Sequence, residues 1–149
     1  MNLPLDFKEY ILKGVVKKQH KDFSRAEFLI EESKKSYIGL NRILEKIGID
    51  EFNSSDIIKS SYDIIMELIR AKLFIEGFSC SGFFAHEAEI AYMRELNFSE
   101  FEIIFMNELR YIRNGIIYYG KSRDKEYAEK VIKFLKEIFK RLIDCLDLN

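Results

Sequence analysis

The chain has 149 residues, of which 48% are hydrophobic and 33% are charged, and it contains one proline and seven glycines. This length suits one domain with a hydrophobic core, and the composition excludes a disordered or loop-rich chain. The formal net charge of -1 excludes a positive field over the whole protein, so that any binding of nucleic acid would need a local basic patch.

The first half of the chain has the apolar spacing of helices. We predict a short helix over residues 5–18, whose end overlaps the basic run 17–21 (Lys-Lys-Gln-His-Lys). Ser24 and Glu27 have the spacing of a capping box, which predicts that the second helix starts there and continues to Gly48. The polar residues 53–55 then offer a cap for a third helix, with apolar residues three or four apart from 58 to 73.

The second half begins with a segment bounded by glycines, 77–82, which predicts a tight loop before a short helix over 83–95. Ser99 and Glu102 form a second capping box. The helix that they open should carry Phe101, Phe105, Leu109, Ile112 and Ile116 on one side. Because Ile103, Met106 and Ile117 add apolar surface elsewhere, we expect this helix to be central or shared with a second subunit.

A last amphipathic helix is predicted over 124–146. No strand alternation is visible in the sequence. Together these elements predict an all-α fold, an antiparallel up-and-down helical bundle of about five helices. We expect a single domain over 1–149 with its core in 22–147 and the helix 5–18 appended to it.

A polar strip on the helix after Ser99 has side chains suited to binding phosphate. Arg110 and Asn114 are four residues apart and share a face, and Arg113 lies at the edge between that face and the apolar stripe. A guanidinium there could grip a phosphate through paired N–H donors, and the rings of Tyr118 and Tyr119 could stack on a base. The alternative is structural: Arg113 would pair with a carboxylate such as that of Glu108 or Glu89, and the tyrosines would fill the end of the bundle.

The run from Glu108 to Gly120 resembles the signature of HEPN domains, which are small all-helical modules. In that signature an arginine, often followed by a polar residue, precedes a histidine by four to six residues. Arg113 and Asn114 match its start, and Tyr118 and Tyr119 stand at the places of the histidine. The resemblance extends to 71–77 (Ala-Lys-Leu-Phe-Ile-Glu-Gly) and 81–88 (Ser-Gly-Phe-Phe-Ala-His-Glu-Ala).

The resemblance implies a function as well as a fold. Many HEPN proteins are metal-independent endoribonucleases, often toxins paired with a minimal nucleotidyltransferase, and they are usually homodimers with a shared cleft. By resemblance, Arg113 would contact the scissile phosphate, and Asn114 would hold the arginine or the sugar. Tyr118 would have to replace the acid–base histidine, but an unperturbed tyrosine is ionised in only about one molecule in a thousand at pH 7. We therefore favour binding over catalysis.

The sequence contains two histidines, His20 and His86, and has no second histidine or cysteine cluster near His86 that would complete a zinc site. We expect no metal and no cofactor. His86 is more simply explained as a residue at a helix start, and its recruitment to the arginine cleft is the alternative. The cysteines Cys80 and Cys145 are far apart and are expected to be reduced thiols.

The sequence thus predicts a cytoplasmic homodimer that binds a nucleotide or RNA through Arg110, Arg113 and Asn114, with Tyr118 or Tyr119 stacking. His86 is a possible accessory residue, and a nucleotidyltransferase-fold protein is a possible partner. Two other functions stay open. The first is an active endoribonuclease that uses Arg113 with Tyr118 or His86, and the second is a helical interaction module without a ligand. No membrane association is expected, since no apolar run has the length of a membrane span.

Overall fold

The computed structural model of the chain describes residues 2–120 and 123–146, without the side chains of Tyr118 and Tyr119. This part of the chain forms six α-helices, one 3-10 helix and a two-stranded sheet, which confirms the predicted all-α bundle. The elements are α1 (Phe7–Leu12), β1 (Val16–Lys18), α2 (Phe23–Lys46), α3 (Ser54–Glu76), β2 (Phe78–Cys80), α4 (Ala85–Ala91), the 3-10 helix (Tyr92–Leu96), α5 (Glu100–Tyr119) and α6 (Lys125–Leu146).

The helices α2 and α3 run antiparallel. The backbone N–H of Asp22, just before α2, donates to the carbonyl of Phe74 near the end of α3. In the middle of both helices, the Ser33 hydroxyl donates to the carbonyl of Ile64. The first contact pairs the start of α2 with the end of α3, and the second pairs their middles. This is the antiparallel arrangement that the predicted bundle requires.

The helices α5 and α6 are also antiparallel. Arg141 near the end of α6 bonds Glu102 at the start of α5, and the rings of Phe105 and Phe134 are 4.4 Å apart. The start of α5 has the predicted capping box: the Ser99 hydroxyl accepts from the Glu102 N–H, and the Glu102 carboxylate accepts from the Ser99 N–H. The prediction of this boundary from Ser99 and Glu102 is confirmed.

The central helix of the bundle is α3, whereas the sequence had suggested the helix after Ser99. Its buried side chains point in all directions because it contacts α2, α4, α5, α6 and β2. In α5, Ile103 and Met106 are fully buried, while Phe101 is 85% exposed. The expected stripe is confirmed for Leu109 and Ile112, which are buried, and for Phe105 and Ile116, which pack against the core, but it was wrong for Phe101. A helix with apolar residues nearly all round does not by itself indicate which side faces the core.

The N-terminal region differs from the predicted helix 5–18, because α1 ends at Leu12 and the chain turns at Gly14, which has φ +78°. The next residues form β1, which pairs antiparallel with β2 and aligns Val16 with Cys80. The expectation that strands are absent was therefore wrong. Because Phe7 and Tyr10 are buried in the same core as the main helices, this segment packs into the bundle.

The start of α2 is capped by Asp22 rather than by the predicted Ser24. The Asp22 carboxylate accepts from the N–H of Arg25 at 3.0 Å, so that the helix already begins at Phe23. Both residues are good N-cap types, and Asp22 comes first in the chain. The predicted end of this helix is confirmed, since Gly48 follows it with φ +82° and donates its N–H to the carbonyl of Ile43.

Gly77 joins α3 to β2 and brings the N-terminal segment close. Its φ is +83°, and a Cβ atom at this position would lie 2.8 Å from the Gln19 carbonyl oxygen. The Gln19 N–H donates to the Gly77 carbonyl at 2.9 Å. Only glycine allows both this backbone conformation and this approach without strain. None of the described helices combines the length and the apolar character needed to cross a membrane.

Candidate functional site

An open groove of about 950 Å³ lies where the N-terminal segment, the start of α4 and the second half of α5 meet. Among the residues that the structure describes, four cationic side chains line it: Lys13, Arg110, Arg113 and Arg123. The rings of Phe83, Phe84 and Tyr111 line it as well, and each ring is about half exposed or more. The groove therefore combines groups that bind phosphate with surfaces on which a base can stack.

The groove brings together four of the residues that the sequence had singled out. Arg110, Arg113 and Asn114 reach it from α5, and His86 reaches it from α4. The predicted roles of Tyr118 and Tyr119 concern side chains that lie outside the described residues. Their backbones form the last turn of α5, beyond Asn114 in the chain.

The guanidinium of Arg110 is bound mainly by groups of the protein itself. Its Nε and Nη2 atoms donate to Oδ1 of Asn107 at 3.2 and 3.1 Å, and its Nη1 lies 2.8 Å from Oε1 of Glu87. Asn107 is fully buried and also donates its amide to the carbonyl of Asn2, in the N-terminal segment. Because the side chain of Arg110 is only 11% exposed, it shapes the groove and offers little donor surface to a ligand.

The guanidinium of Arg113 is less fully bound. Its Nη2 donates to Oδ1 of Asp63 at 3.1 Å, and the carboxylate of Asp63 is half exposed. Its Nε is buried and has no hydrogen-bond partner among the described residues. Because this N–H is closed to solvent, a ligand in the groove would meet the exposed part of the guanidinium instead. The side chain of Arg113 is 20% exposed, against 11% for Arg110, so Arg113 is the arginine of the pair that offers more surface to a ligand.

The structural alternative correctly placed Arg113 in an ion pair with a carboxylate, but the partner is Asp63 rather than Glu108 or Glu89. Glu89 is almost fully buried and bonds Arg70 through two atom pairs, at 2.7 and 3.2 Å. Arg113 instead pairs with Asp63, because α3 packs beside α5. These ion pairs join residues far apart in sequence, so their helical spacing could not reveal them.

Tyr62, a buried residue of α3, connects Arg113 and His86. The guanidinium carbon of Arg113 lies 5.5 Å from the centre of the Tyr62 ring. The Tyr62 hydroxyl is 3.2 Å from Nδ1 of His86. Burial raises the pKa of Tyr62 above its ordinary value, so its hydroxyl keeps its proton at neutral pH.

Sequence reasoning missed Tyr62, Lys13, Arg123 and the three groove rings. Tyr62 lies within the apolar pattern of residues 58–73, which predicted only a buried helix face. Lys13 lay inside the predicted helix 5–18, whereas α1 ends at Leu12. A signal for the rings was the pair Phe83-Phe84 just before α4, two residues ahead of His86, because adjacent phenylalanines at a helix start are difficult to bury together.

Among the described residues, no group of three His, Cys, Asp or Glu side chains is placed to hold a metal ion. A comparison of the chain with models of protein families finds no match, and a search of curated proteins finds none either.

Proposed function

We propose that the chain is a HEPN-like protein that binds a nucleotide or an RNA strand in the groove. The observation that carries this proposal is the position of Arg113, whose partly exposed guanidinium lines the groove beside three exposed aromatic rings. A guanidinium binds phosphate through charge-assisted hydrogen bonds, and stacking on exposed rings tolerates any base. Lys13 and Arg123 add positive charge along the same groove.

The proposed assembly is a cytoplasmic homodimer, with the groove near the contact between subunits. In support, α5 exposes Phe101, Ile104 and Tyr111 on one face, and a surface of this kind suits a partner. By resemblance, a minimal nucleotidyltransferase is the proposed protein partner. Sedimentation of the purified chain tests the dimer, and a monomer at micromolar concentration would contradict it.

Binding is tested by the fluorescence anisotropy of a labelled single-stranded RNA, with AMP as a competitor. Arg113→Ala should weaken binding by about tenfold or more at low salt, since hydrogen bonds to charged groups contribute about 1.5–3 kcal/mol. It should also lower the slope of log affinity against log salt by about 0.7. The matched control is Arg42→Ala on the exposed surface of α2, outside the groove. Equal affinities of the two variants would contradict the proposal.

A second candidate function is a metal-independent endoribonuclease, which the presence of His86 in the same groove as Arg113 favours. An imidazole can exchange protons near neutral pH, which a tyrosine in the motif position cannot do without a large shift of its pKa. Incubation of the protein with labelled RNA in EDTA tests this function. Cleavage that is lost in His86→Ala and kept in His20→Ala would establish it and replace the binding-only proposal.

A ligand-free interaction module is the remaining alternative. In that case the parent protein would show no affinity for RNA or AMP, and Arg113→Ala would dissociate the subunits. The same anisotropy and sedimentation experiments therefore separate all three functions.

A further inference from the structure

We propose that Tyr62 fixes the neutral His86 ring with its proton on Nε2, so that His86 is a hydrogen-bond donor to a phosphate oxygen in the groove. This inference rests on the proposed function and assigns a ligand contact that the HEPN-like motif does not contain. In it, Tyr62 is a positioning residue, and His86 is the residue that touches the ligand.

The first step is the direction of the hydrogen bond between Tyr62 and His86. The two atoms, Tyr62 Oη and His86 Nδ1, are 3.2 Å apart, and Tyr62 is 1% exposed. Among the described residues, His86 is the hydrogen-bond partner found for this hydroxyl. A buried hydroxyl hydrogen without an acceptor would be costly. The hydroxyl therefore donates, and Nδ1 of His86 accepts.

The second step follows from the chemistry of imidazole. A neutral ring carries one N–H, so that a ring whose Nδ1 accepts has its proton on Nε2. His86 is an exposed residue that lines the groove, while its Nδ1 edge faces the buried hydroxyl. The Nε2–H edge is then the one available to a ligand.

The third step concerns what this tautomer can do. An Nε2–H group donates a hydrogen bond to an anionic oxygen, whereas it cannot take a proton from a ribose hydroxyl. Arg113 lies over the Tyr62 ring, with its guanidinium carbon 5.5 Å from the ring centre. One buried ring thus places a guanidinium and an imidazole N–H at the same groove, an arrangement that suits phosphate recognition and disfavours general-base catalysis.

The tautomer can be measured without any ligand. Long-range ¹H–¹⁵N spectra at about pH 8, where imidazoles are mostly neutral, should show Nδ1 of His86 as an unprotonated, hydrogen-bonded nitrogen. In Tyr62→Phe, which keeps the ring and removes the hydroxyl, the Nδ1 resonance should move to the position of a free unprotonated nitrogen. His20, the other histidine of the chain, is the internal reference and should not change. A proton found on Nδ1 of His86 in the parent protein would overturn the proposal.

The ligand contact is tested with labelled single-stranded RNA and with AMP. His86→Ala should weaken binding by roughly three- to tenfold, the effect of losing one hydrogen bond. His86→Gln, whose amide places an N–H near the position of Nε2, should restore most of that loss. If His86→Ala binds as tightly as the parent while Arg113→Ala does not, this inference fails and the proposed function stands. If the parent binds neither probe, the phosphate contact and the proposed function both fail, and the spectra alone decide the tautomer.

Discussion

Replacement of Asp63 by asparagine should strengthen RNA binding, although it changes a residue in contact with Arg113. The Asp63 carboxylate lies 3.1 Å from Nη2 of Arg113 and competes with any phosphate for that guanidinium. In Asp63→Asn the side chain can still accept a hydrogen bond, but the competing charge is gone. The RNA affinity of this variant therefore distinguishes two roles of the ion pair. Asp63 either holds Arg113 in place, or its carboxylate competes with a ligand for the guanidinium.

The magnitude follows from the distance and the exposure of the pair. Two unit charges 3.1 Å apart attract each other by about 1.3 kcal/mol in bulk water. Because Asp63 is 48% exposed, side-chain entropy and salt reduce the net contribution to about 0.2–1 kcal/mol. The released guanidinium should raise RNA affinity by about 1.4- to fivefold at low salt. The free energy of unfolding should fall by less than about 1 kcal/mol.

Fluorescence anisotropy of a labelled single-stranded RNA measures this effect, and urea denaturation measures stability. The matched control is Asp56→Asn, which removes an exposed carboxylate from the same helix, where it pairs with Lys59 at 3.1 Å. Asp56 lies outside the groove, so its variant should gain little affinity. Weaker binding of Asp63→Asn than of the parent would refute the reasoning, because it would mean that the ion pair holds Arg113 in its binding position.

Three further predictions concern stability, each measured by urea denaturation. Gly77→Ala should lower the free energy of unfolding by about 2 kcal/mol or more, because alanine is strained at positive φ and its Cβ would meet a backbone carbonyl. Asn107→Ala should lower it by about 1–3 kcal/mol, since it leaves buried partners unsatisfied. Glu67→Gln should raise it at pH 7, because burial, with Asp63 nearby, raises the pKa of the Glu67 carboxyl.

The sign for Glu67 follows from proton linkage. A carboxyl whose pKa is higher in the folded state binds protons more tightly when folded, so its contribution to stability is largest at low pH. That contribution is lost as the pH rises from the ordinary carboxyl range through the raised folded pKa. Glu67→Gln should therefore remove this part of the pH dependence. An unchanged pH profile would contradict the assignment.

Two control variants test the other stability predictions. Gly39 lies in α2, and no neighbouring heavy atom would be within 4 Å of a Cβ added there. Gly39→Ala should therefore stabilise the helix by about 0.5–1 kcal/mol. Asn41→Ala loses a bond to the carbonyl of Tyr37 in the same helix and should cost less than Asn107→Ala. If Gly77→Ala and Gly39→Ala changed the free energy of unfolding equally, the close approach of the Gln19 carbonyl to Gly77 would not matter for stability.

The sequence alone determined the helical class and several helix ends. Gly48 and the pair Ser99 and Glu102 act on the backbone within one turn, so their effect does not depend on the rest of the fold. Local patterns also singled out Arg113, Asn114 and His86, which the structure finds around one groove. Whether they bind phosphate stays a prediction.

The tertiary structure alone decided which partners these residues have. The strand pairing of Val16 with Cys80, the ion pair of Arg113 with Asp63 and the bond between Tyr62 and His86 each join separate parts of the chain. Such contacts arise when helices pack, and an amphipathic pattern fixes the buried face of a helix but not the neighbour that covers it. For that reason the sequence could single out Arg113 and His86 as candidates, while only the tertiary structure showed that both side chains contact Tyr62.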